Sequence, residues 1–133
     1  MKPAFFVAFA LAGALGVTAR YLLDVTLTTR LRTPYWNWGV LSVNLSGAFL
    51  LGLLVDLSAR HPLLEGYRVL LGSGFLGAYT TFSTWMYDTV RLLERERWRA
   101  AYFSAALVPL LGVALIALGF ALAAQGSGWA GLG

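Results

Sequence analysis

The sequence predicts an all-α integral membrane protein, built as a single four-helix transmembrane domain over 1–133. Three observations predict it. Hydrophobic residues make up 59% of the chain and charged residues only 12%, whereas soluble domains carry about 25% charge. Four apolar segments, roughly 3–23, 36–57, 67–90 and 100–124, stand out; each reaches the ~20 residues a helix needs to cross ~30 Å of hydrocarbon. Most of the charge falls in the short connections between them, and a soluble chain this apolar (mean hydropathy +0.71) would expose a patch larger than solubility allows.

The first segment opens behind Lys2 and runs through Ala19 without a polar break or cleavage site, so it reads as a mature span and not as a signal peptide. Phe9, Gly13, Gly16 and Arg20 share one stripe, and small residues on such a stripe let helix backbones approach closely in lipid. Arg20 ends the stripe. It either snorkels to the headgroups or sets a positive charge at the mouth of an anion path.

In the second segment, GVLSVNLSGAFLLG, Gly39, Ser42, Val43 and Ser46 form a packing face. Asn44 points elsewhere, among Val40, Gly47, Ala48 and Leu51. An intramembrane Asn serves as interhelical glue, or as a pair of amide donors for a dehydrated anion.

The third segment holds LLGSGFLGAYTTFST, in which Gly72, Gly74 and Gly77 precede the hydroxyls of Tyr79, Thr80, Thr81, Ser83 and Thr84. Each unsatisfied polar group in hydrocarbon costs several kcal/mol. The run therefore predicts a helix broken mid-membrane, whose freed carbonyls suit a cation. Hydroxyls bonding back onto their own helix are the alternative.

The fourth segment carries a seam of Ala101, Ala105, Val108, Gly112, Leu115 and Gly119, read as a packing face, and Pro109 frees the carbonyl of Ala105. Trp36, Trp38, Trp98 and Trp129 lie near segment ends, where indoles favour the interface. The glycine-rich tail after Gln125 is expected to fray.

Four helices place both termini on one side. Lys2, Arg60 and Arg68 mark that side, against Arg30, Arg32, Arg91, Arg95, Arg97 and Arg99 on the other. The count leans towards cytoplasmic first and third loops. A net charge of +4 spread over short connections fits lipid headgroups and no nucleic-acid footprint. There is no cysteine, so disulfides and thiolate-bound metals are excluded.

Taken together, GALGVTARY, GVLSVNLSGAFLLG and GFLGAYTTFSTW resemble the Fluc (CrcB) fluoride channels. The most specific pieces are the core from Gly77 to Thr84 and VN-x-x-G from Val43 to Gly47. The resemblance implies an antiparallel dual-topology dimer of two oppositely inserted copies in the cell membrane, with two fluoride pores. It also implies a central structural sodium ion that is not transported, held by the Gly77 and Thr80 carbonyls of both copies. Asn44 would donate its amide to fluoride, and Phe82 would present its positive ring edge. Ser83 and Thr84 would add donors, and Arg20 would bias the vestibule towards anions. A paralogous chain as the second subunit is the alternative to a homodimer.

Three positions depart from the family pattern. Trp85 stands where a second Phe is usual, keeping a positive edge and adding an N–H. Val40 replaces a Thr beside Asn44. In the last segment the usual Tyr and Ser fall on Ser104 and Val108, which thins the polar track unless Tyr102 substitutes.

The segment centres hold no lysine, which would bind fluoride too tightly, and no carboxylate for proton coupling, because Asp24, Asp56 and Asp88 lie near ends. Passive export of cytoplasmic fluoride is the function expected. A small multidrug-resistance-type transporter would need a buried Glu in its first helix, where this chain has no acid before Asp24. A non-transporting membrane subunit would explain the glycine seams but not Asn44 with TTFST. An enzyme is not expected, since the single histidine, His61, lies in a loop and no nucleophile–base arrangement is readable.

Overall fold

The computed structural model describes residues 3–32 and 36–129, with side chains as far as Gly126. Lys2 and Tyr35, and the Trp129 side chain read as interfacial, lie outside that description. All the described elements are helical: α1 (Pro3–Leu31), α2 (Trp38–Arg60), α3 (Pro62–Val69), a π-helical stretch (Leu70–Leu76), α4 (Gly77–Tyr79), α5 (Phe82–Glu94) and α6 (Trp98–Trp129). Among the described residues, three helices are long and apolar enough to cross a membrane: α1, α2, and α6 as far as Gly126.

Helix α1 overruns its expected end at 23 and continues to Leu31. No Gly or Pro interrupts residues 24–31, and the hydroxyls turn inward. Thr26 and Thr29 donate to the carbonyls of Leu22 and Val25, at 2.6 and 2.7 Å. Asn37 caps α2 by accepting from the Val40 N–H and donates Nδ2–H to Asp88 Oδ2 at 3.0 Å, tying the start of α2 to α5. His61 alone separates α2 from α3, and Pro62 occupies the first position of α3, where its missing N–H costs no helical bond. Between α5 and α6 the chain reverses through Glu96, whose φ is +58°. Helix α6 continues to Trp129, past its expected end at 124 and into the tail expected to fray.

The third apolar segment is assembled from several pieces. It passes from α3 through the π-helical LLGSGFL into α4. Thr80 (φ −80°, ψ 159°) and Thr81 (φ −147°, ψ 119°) are then extended, and α5 starts at Phe82. Gly77 keeps helical torsions (φ −62°, ψ −34°), so the interruption falls at Thr80–Thr81 and not at the glycine.

Helix α1 packs on α2, α4 and the π-helical stretch, while α2 packs along α6. The α1 stripe behaves as its small residues require: a Cβ on Gly16 would strike the Phe75 carbonyl. On α2, Val43 joins Leu76 and Tyr79 in the core, and Ser46 Oγ lies 2.8 Å from the Tyr79 hydroxyl. The α6 seam differs in one position. Ala105 is exposed, and Ser104 is buried between Ala101 and Val108 instead. Around this narrow core many large apolar side chains, among them Phe6, Leu15, Leu110 and Val113, face outward, as hydrocarbon surroundings permit. Asp56, 2% exposed, is neutralised within one turn by Arg60, which donates to both its oxygens at 2.8 and 2.9 Å.

Candidate functional site

The site forms where α2 meets the extended pair. Asn44 clasps the backbone of Thr81 from both sides: Nδ2–H donates to the Thr81 carbonyl at 3.0 Å, and Oδ1 accepts from the Thr81 N–H at 2.9 Å. An extended residue cannot satisfy its own N–H and C=O within a helix, so a primary amide replaces the missing ladder. One of the two amide hydrogens is thereby committed and the other is left for a further acceptor. Three residues on, Gly47 lies on the same face, and a Cβ there would collide with the Thr80 methyl group. The Asn-x-x-Gly spacing thus lets one residue hold the extended backbone while the other gives it room.

The hydroxyls divide by role. Thr80 donates back to the Leu76 carbonyl at 3.0 Å, the back-bonding that was the alternative for this run. Tyr79 pairs with Ser46. Thr81 caps α5 by accepting from the Thr84 N–H, and its Oγ1 lies 3.1 Å from Thr84 Oγ1 and 3.4 Å from Ser83 Oγ. Three hydroxyls therefore cluster at the N-terminus of α5, the end at which a helix favours negative charge.

Two carbonyls lose their helical donors here. The Thr81 N–H, which would answer Gly77, goes to Asn44 instead. The Thr84 N–H, which would answer Thr80, turns to Thr81 Oγ1. Gly77 and Thr80 are the two positions whose carbonyls the resemblance assigns to a cation.

An open cavity of about 410 Å³ brings together Asn44, Thr80, Thr81, Phe82 and Trp85 against Val108, Pro109 and Gly112. No charged side chain lines it. Phe82 is 70% exposed, and its ring meets Trp85 edge-on, with centroids 5.4 Å apart and planes at 77°. Asn44 and Thr80 also line a second cavity of about 280 Å³, which holds Gly77, Gly47, Ala48 and Leu51. A third, of about 240 Å³, places Arg20 beside Asp24, Val40, Thr81 and Thr84. Arg20 thus shares a pocket with Thr81, one of the extended pair, on the α1 side.

Ser104 does not line the large cavity. Its hydroxyl is buried, 3.0 Å from Trp85 Nε1 and 3.2 Å from Thr89 Oγ1. Tyr102 is exposed and does not line any of these cavities. Val108 borders the large cavity with a methyl surface, and Val40 is buried beside the Arg20 pocket. Sequence reasoning missed Thr81 as the partner of Asn44, and missed Thr89. The first was readable only as a candidate N-cap, since Thr is a favoured residue at a helix start; its pairing with Asn44, 37 residues away, was not. The second was the one-turn spacing from Trp85 to Thr89.

The family model described as CrcB-like protein, Camphor Resistance (CrcB), matches residues 7–120. A protein of Leifsonia xyli subsp. xyli named fluoride-specific ion channel FluC 1 is 41% identical over 91% of this chain and 84% of its own. A protein of the same name from Symbiobacterium thermophilum is 43% identical over 88% of this chain and 95% of its own. Fluoride-specific ion channel FluC of Bordetella petrii is 41% identical over 91% of this chain and 92% of its own. With a family match and relatives that cover nearly all of both chains, this chain belongs to the CrcB-like family.

Proposed function

We propose that this multi-pass membrane protein is a fluoride-selective passive channel that lets cytoplasmic fluoride leave across the cell membrane. One observation carries the reading furthest: an uncharged cavity that brings the Asn44 amide together with Thr80, Thr81 and two crossed aromatic rings at a helix start. Fluoride is small and strongly hydrated. A pore must replace its water with close donors that still release it. The second amide hydrogen of Asn44, the hydroxyls of Ser83 and Thr84 at the α5 N-terminus, and the ring edge of Phe82 are donors of that kind. Trp85 walls the path beside Phe82, with Ser104 behind it. Arg20 raises the local anion concentration without sitting in the pathway.

The working assembly in this reading is an antiparallel dual-topology dimer with two pores. Each chain crosses four times, the third crossing being broken mid-membrane at Thr80–Thr81. Phe82, so exposed on the single chain, would face the second copy. The carbonyls of Gly77 and Thr80, relieved of their helical donors, suit a hard monovalent cation such as sodium. Bound there from both copies, the ion would supply positive charge to oxygens whose helical donors bond elsewhere.

The test is efflux from liposomes that hold the purified chain. Fluoride should leak rapidly and chloride should not. Comparable rates for the two ions, or no fluoride leak, would overturn the proposal. Phe82→Ile should reduce fluoride flux by an order of magnitude or more while the protein still assembles, because isoleucine fills space without a positive ring edge.

A further inference from the structure

Trp85 brings an indole N–H to the edge of a path for an anion. Left free, that strong donor would be a sticky point. The structure shows where it goes. Trp85 Nε1–H donates to Ser104 Oγ at 3.0 Å. Ser104 Oγ and Thr89 Oγ1 are 3.2 Å apart, and Thr89 Oγ1 donates to the carbonyl of Trp85 itself at 2.9 Å. Each hydroxyl has one hydrogen. Thr89 uses its own on the Trp85 carbonyl, so Ser104 must donate to Thr89. The circuit then runs in one direction, from the indole N–H through Ser104 and Thr89 back to the carbonyl of the same residue. It leaves no hydrogen over.

From this we infer that Ser104 and Thr89 are positioning residues. They turn the polar edge of Trp85 away from the cavity and towards α6, and hold the indole so that it presents carbon-bound hydrogens beside Phe82. Ser104 acts on the ion through Trp85 and not by touching it. The inference rests on the channel reading above and adds a specificity device to it. Burial supports the assignment: Ser104 is 6% exposed and Thr89 is 4% exposed, whereas Trp85 and Phe82 both line the cavity. The circuit also accounts for two departures together. A ring with an N–H at 85 needs an acceptor on α6, and a small hydroxyl at 104 supplies one without filling the space the indole occupies.

Two measurements on the full-length protein test the circuit. Trp side chains are labelled with nitrogen-15, and Trp85 is assigned as the indole signal lost in Trp85→Phe. In Ser104→Ala the Trp85 signal should shift and its N–H should exchange faster with solvent, while the other indole signals hold still. An unmoved Trp85 signal overturns the inference whether or not the protein conducts. Fluoride efflux is then compared in four chains: wild type, S104A, W85F and the double variant. S104A should slow efflux roughly fivefold when Trp85 is present, the size expected for one lost hydrogen bond, and much less when residue 85 is Phe. An equal factor in both backgrounds would make Ser104 a direct donor to the ion and overturn its role through Trp85.

Discussion

At the scale of single residues, Asn44 has the heaviest task. Its amide is the internal partner for both backbone groups of Thr81, and it borders both the large cavity and the one holding Gly77. Asn44→Leu keeps the branched shape and removes both bonds, leaving an N–H and a carbonyl unsatisfied at the break. Each such group costs about 1–3 kcal/mol, so the purified protein should melt clearly lower in detergent and fluoride flux should vanish. Asn44→Asp separates the two halves of the clasp. A carboxylate still accepts from the Thr81 N–H, but it faces the Thr81 carbonyl with no hydrogen to offer. It should keep part of the stability and still lose flux, because an anion would meet a negative charge in place of a donor. A melting temperature unchanged in Asn44→Leu would mean that the extended pair does not depend on the clasp.

Among the helical elements, the third apolar segment sets the fold apart. Its hydroxyl run and clustered glycines were legible as trouble for a continuous helix, because polar groups in hydrocarbon must find partners, although back-bonding onto the same helix, as Thr80 shows, remained an alternative. The place of the interruption was not legible. The glycines and hydroxyls together did not single out a position; Gly77 stays helical, and Thr80–Thr81 is extended, with Asn44, 37 residues away in sequence, satisfying Thr81. Helix ends were misjudged for a related reason. Threonines near the end of α1 bond to their own helix, so a polar stretch that read as a loop continues to Leu31. The α6 seam was legible in its spacing but not in its chemistry, since Ser104 is buried for a partner on α5 that a one-helix pattern cannot reveal. Glycines give the sharpest prediction at this scale. In Gly47→Ala the new methyl group meets the Thr80 methyl and lies 3.3 Å from the Tyr79 ring, so it should cost about 1–3 kcal/mol. In Gly66→Ala the methyl group meets nothing within 4 Å inside α3. That change should be neutral, or stabilise by about 0.5–1 kcal/mol through helix propensity. Equal melting temperatures for the two variants would show that α2 is not held tightly against the break.

For the molecule as a whole, orientation decides how the site is completed. One copy leaves Phe82 largely bare and the Gly77 and Thr80 carbonyls without their helical donors. An inverted second copy would cover the first and, with a sodium ion, satisfy the second. Such a dimer needs the chain to insert both ways, and insertion is set by Lys and Arg in the short loops. Lys2, Arg60 and Arg68 stand against Arg30, Arg32, Arg91, Arg95, Arg97 and Arg99. Three against six leans towards one orientation, which makes the topology test a demanding one for the homodimer. A tag on the N-terminus should be reached by a membrane-impermeant reagent in about half the molecules of intact cells, and by the same share after a tag is moved to the C-terminus, since the four crossings proposed would keep the two ends together. Labelling of nearly all or nearly none would show a fixed orientation. A homodimer of inverted copies would then be ruled out, and the second subunit would have to be a related chain of opposite charge bias.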